Sequence, residues 1–112
     1  MSDSTLRANI PRSSSSLVIG QQLPQSIIAA GTAAEFAWDE FFAGMIRNKH
    51  TRIAYLRAVK QFLAWIELQQ VELVRITPGM VGNYMDQLVL STPSKKLHLS
   101  AIKGFLDVLA QR

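Results

Sequence analysis

Residues 48–68, Asn-Lys-His-Thr-Arg-Ile-Ala-Tyr-Leu-Arg-Ala-Val-Lys-Gln-Phe-Leu-Ala-Trp-Ile-Glu-Leu, constrain the fold more than any other stretch. At about 100° per residue, Tyr55, Leu56, Val59, Phe62, Leu63 and Ile66 fall within roughly 60° of one line, the apolar stripe of a packed helix. Lys49, Arg57 and Lys60 share a neighbouring flank, so one surface is suited to a core and another to an anion. Asn48 is a good N-cap, with Thr51 three residues on, where a short polar side chain can reach back. A further side carries Ala54, Ala58 and Gln61, small enough for a second helix to cross closely.

The remaining segments read as helices organised around this one. A helix is expected to start near Thr32 as N-cap, with Glu35 placed for a capping box. Its Phe36, Trp38, Phe41, Phe42, Met45 and Ile46 exceed one stripe, which suits either a helix wedged between two others or a partner-binding face. Residues 69–76 connect without regular period. Thr77-Pro78 and Thr92-Pro93 each place a hydroxyl cap before a proline at the first helical position, where its missing N–H costs nothing. The helix after Thr77 offers Val81, Tyr84, Met85 and Leu88 to the core. It should end near Ser91, because Pro93 disfavours helical geometry at Thr92.

The last helix, roughly 93–111, has Leu99, Ile102, Phe105, Leu106 and Leu109 as its stripe. Lys96, Ser100, Lys103 and Asp107 form a polar line, and Leu97, Ala101, Gly104 and Val108 a third side. Gly104 in mid-helix costs about 1 kcal/mol against alanine, which close approach of the Ala54/Ala58 side would offset. Residues 1–31 read as a flexible, disordered tail: serines run from Ser13 to Ser16, Pro11 and Pro24 break helices, and periodicity is absent. The expected architecture is therefore all-α, an orthogonal bundle of four or five helices over residues 32–112. The helix reaching Arg112 suggests that the natural product continues.

Composition removes several functions. There is no cysteine, which excludes disulfides and thiolate chemistry. The two histidines and eight carboxylates are scattered, so no metal site or cofactor is expected. No apolar run approaches the roughly 20 residues that span a bilayer. The Met-Ser-Asp-Ser-Thr start is unlike a signal peptide, which points to a cytoplasmic protein. Residues 45–112 hold ten of the twelve Lys and Arg but only four of the eight carboxylates, a local excess that favours nucleic acid as partner.

Three motifs in series resemble one family. Asn48-x-x-Thr51-Arg52-x-x-Tyr55 followed by Phe62-Leu63-x-Trp65-Ile66, then Val74-Arg75-Ile76-Thr77-Pro78-x-x-Val81-x-x-Tyr84, then Ser94-x-x-x-x-Leu99-Ser100-Ala101-Ile102-Lys103-x-Phe105-Leu106, resemble the SAM-like core-binding domain of tyrosine recombinases, the phage integrase family. The resemblance covers about residues 32–112. It implies a helical bundle in which helices 48–68 and 93–111 cross and lie in adjacent parts of the major groove of double-stranded DNA, with other recombinase protomers as further partners. The family's catalytic constellation belongs to a second domain. His50 and His98 are not in a His-x-x-Arg, and Tyr55 and Tyr84 lie on core stripes, so this chain is not expected to be an enzyme, although its parent would break and rejoin DNA.

The candidate DNA-binding residues are Lys49, His50, Thr51, Arg52, Arg57 and Lys60 on one helix and Ser94, Lys95, Lys96 and Lys103 on the other. Each set begins at a helix start, where free N–H groups favour phosphate. Five or six neutralised phosphates would give a salt slope of roughly −5. Trp38 and Trp65 read as core. No membrane or small-molecule partner is expected. The rival reading is a protein–protein interaction module that uses the aromatic first helix.

Overall fold

The computed structural model describes residues 23–112. Five α-helices make the bundle: α1 (Gln25–Ala30), α2 (Thr32–Asp39), α3 (Lys49–Leu68), α4 (Pro78–Gln87) and α5 (Thr92–Ala110). A π-helical turn, Glu40–Met45, extends α2, and a 3₁₀ turn, Leu73–Arg75, precedes α4. No strand occurs among the described residues. The all-α expectation therefore holds.

The core lies between α2 and its π turn, α3 and α5. Trp38, Phe42, Phe62 and Phe105 are its largest fully enclosed side chains. Trp38 packs on Phe42 with ring centroids 4.6 Å apart and meets Phe105 edge-on at 5.5 Å. On the other side of α3, Phe62 and Trp65 close on Tyr84 of α4 at 5.2 and 5.5 Å. α3 buries Leu56, Val59, Phe62, Leu63 and Ile66, as its stripe requires, together with Ala58.

Several local expectations change. Residues 25–30, assigned above to the tail, form α1; Ile27 is fully enclosed, and the Ser26 N–H donates to Glu67 Oε2 at 3.0 Å. The rest of the expected tail, residues 1–22, lies outside the described residues. Thr32 does not cap α2. Gly31 stands at the junction with φ +100°, a conformation that glycine adopts without strain, and its carbonyl takes the first N–H bonds of α2. α4 ends at Gln87, short of Ser91. Ser91 rather than Thr92 caps α5, accepting from the Ser94 N–H, so Pro93 falls inside the first turn, where helix N–H groups lack partners in any case.

α5 is also rotated from its expected facing. Ala101, Ile102, Phe105 and Val108 are buried, whereas Leu99, Leu106 and Leu109 are half-buried along a cleft shared with α4 and the 3₁₀ turn. Phe41 and Phe42 of the π turn are both buried, and the Phe41 ring fills the space over Gly104. A Cβ on Gly104 would lie 2.8 Å from Phe41 Cζ. The close neighbour of this glycine is thus an aromatic ring, not the Ala54/Ala58 side of α3.

Candidate nucleic-acid interface

α3 opens as its sequence requires. Asn48 Oδ1 accepts from the Thr51 N–H at 3.0 Å, which leaves Lys49 and His50 exposed on the first turn. Residues 49–66 contain no carboxylate, and neither do residues 92–106 of α5. Both long helices therefore present positive side chains and N-terminal dipoles with no acidic side chain of their own nearby. Lys49 and Arg57 are exposed on one face of α3, with Ile53 between them. On α5, Ser94 and Lys96 are exposed and Lys95 is half-buried beside the Ser91 cap.

Other candidate residues sit elsewhere. Arg52 is half-buried, and its Nε donates to Phe42 O at 2.8 Å while Nη2 donates to Ile46 O at 3.0 Å. These carbonyls belong to the π turn and its exit. Arg52 thus ties the start of α3 to the aromatic wedge, and two of its donors are committed within the fold. Lys60 lines a shallow recess with Pro24, Ala64 and Glu67, on the side that carries α1, and burial lowers its pKa. Lys103 lies along the α4–α5 cleft with Asp86 and Asp107 on the same lining. Carboxylates thus border both lysines.

Sequence reading missed two residues of this region. Ser91 supplies the cap of α5, and its spacing to Ser94 was the available signal. Arg47 donates through Nη1 to Ala43 O and Gly44 O, both at 3.3 Å, covering carbonyls of the π turn. Nothing local in the sequence announces that turn. His98 is half-buried; its Nδ1 takes no hydrogen bond, and burial lowers its pKa. Tyr84 is buried, and burial raises the pKa of its phenol. Among the described residues no group of His, Asp and Glu could hold a metal ion, and no helix is long and apolar enough to cross a membrane.

The described residues thus form an all-α bundle with two long helices whose leading halves carry cations and no carboxylate. Residues 39–112 match the family model of the phage integrase N-terminal SAM-like domain, and the chain belongs to that family. This supports a role in a recombinase, through the family's non-catalytic domain. No curated protein and no solved structure matches the chain.

Proposed function

We propose that this domain holds double-stranded DNA for a site-specific tyrosine recombinase, working in the cytoplasm, with α3 and α5 as its gripping elements. The observation that carries this reading is the pairing, on a member of this family, of exposed cations with long helix starts free of carboxylate. Lys49, His50 and Thr51 on α3 and Ser94, Lys95 and Lys96 on α5 contact phosphates, and Arg57 extends the α3 set. Such contacts fix register on the duplex, while a few side chains in the groove read sequence. Arg52 serves this surface by setting where α3 begins. Lys60 and Lys103, each bordered by carboxylate, contribute less than the other lysines.

That redistribution lowers the expected phosphate count. Four cations, Lys49, Arg57, Lys95 and Lys96, give a slope of log affinity against log salt of roughly −4, at about −0.9 per phosphate. Fluorescence anisotropy of a labelled duplex over a salt series tests it. Changing Lys49, Lys95 and Lys96 together to alanine should leave a slope of roughly −1. An unaltered slope would refute the site.

The protein–protein reading keeps one specific support. Phe36 and Met45 stand 56% and 55% exposed on α2 and its π turn. Apolar side chains so exposed on an otherwise packed element suit contact with a neighbouring recombinase protomer, a role compatible with DNA held on α3 and α5.

A further inference from the structure

Ile53 is an exposed β-branched side chain at an unexpected place. It is 42% accessible, and it lies four residues from Lys49 and four from Arg57 on the same helical face. The rise along α3 sets the Cα atoms of Lys49 and Arg57 about 12 Å apart along the axis with the isoleucine midway, and the major groove is wide enough to admit such a helix. The stretch contains no carboxylate that would repel a polyanion. Val89 and Leu68 are more exposed, at 95% and 80%, but neither has a cation four residues to each side.

We infer that Ile53 reads the 5-methyl group of thymine in the major groove, with Lys49 and Arg57 anchored on the phosphates to either side. This rests on the DNA-holding function proposed above. An isoleucine cannot hydrogen-bond a base edge, and thymine is the base that offers an apolar group in that groove. Contact removes both apolar surfaces from water, so the domain discriminates by methylation of the pyrimidine rather than by its hydrogen-bonding edge.

The test requires no knowledge of the natural target. Binding is measured at low salt to a short alternating dA–dT duplex and to its dU counterpart, which lacks only the methyl groups. The intact protein should prefer the dT duplex by about fourfold, the worth of one buried methyl. Ile53→Ser should bind both duplexes equally while keeping the salt slope of the parent. Ile53→Gln, polar at its tip and a good helix former, serves as a second variant should the serine substitution impair folding. Equal binding by the intact protein overturns this inference alone. A preference that survives in both Ile53 variants also overturns it, because the methyl is then read elsewhere. Binding to neither duplex overturns the DNA-holding function together with it.

Discussion

Replacing Gly104 by alanine sets two effects of opposite sign against each other. In an isolated helix the change gains about 1 kcal/mol. Here the new methyl would lie 2.8 Å from Phe41 Cζ and 2.9 Å from Cε1, well inside contact distance. The ring has little freedom to retreat: Phe41 is 5% exposed and hemmed by Phe42 at 4.9 Å, Phe105 at 6.1 Å and Tyr55 at 6.2 Å. Overpacking of this kind costs about 1–3 kcal/mol, so Gly104→Ala should destabilise by about 1 kcal/mol net, lowering Tm by roughly 4–8 °C for a domain of this size. Thermal unfolding followed by circular dichroism measures it. In a Phe41→Ala background the obstacle is gone, and the same substitution should stabilise by about 1 kcal/mol. A Gly104→Ala variant that is more stable with Phe41 intact would refute the packing assigned to the π turn.

Two further outcomes follow from named contacts. Arg52→Gln removes the donors to Phe42 O and Ile46 O, for a loss of about 2 kcal/mol. Its Tm should fall while the DNA salt slope stays unchanged, and a lowered slope at normal Tm would make Arg52 a phosphate ligand instead of a strut. Burial holds the His98 pKa below its ordinary 6.5, so below that pH the unfolded chain takes up a proton that the folded one resists. The His98 contribution to stability should be level above about pH 6.5 and decline beneath it, a decline that His98→Gln should weaken; an unchanged pH profile in that variant would contradict it.

How far the fold was legible depends on whether its signal was local. The α3 stripe and the Asn48 and Thr77 caps are local, and each forms as written, save that Tyr55 is half-buried and Ala58 joins the buried side. α1 is not: its six residues are too few for a period, and it is held by Ile27 in the core and by Glu67, forty-one positions away. The π turn carries no local mark either. It exists because Phe41 and Phe42 both find core space and two arginines cover its carbonyls. The facing of α5 is likewise set by tertiary neighbours: the leucines of its expected stripe line a cleft while Ala101 and Val108 are buried. For the candidate interface, residue type and spacing identified the helix starts. The involvement of Arg52 in the fold and the carboxylates near Lys60 and Lys103 depend on tertiary neighbours, which spacing along one helix cannot reveal.

The central claim is that α3 and α5 hold the same duplex at once, and single-lysine variants on each helix test it most directly. In the salt series, Lys49→Ala and Lys96→Ala should each reduce the slope by about 0.9, and the double variant by about 1.8. A slope that responds to one helix and is indifferent to the other would contradict a two-helix grip.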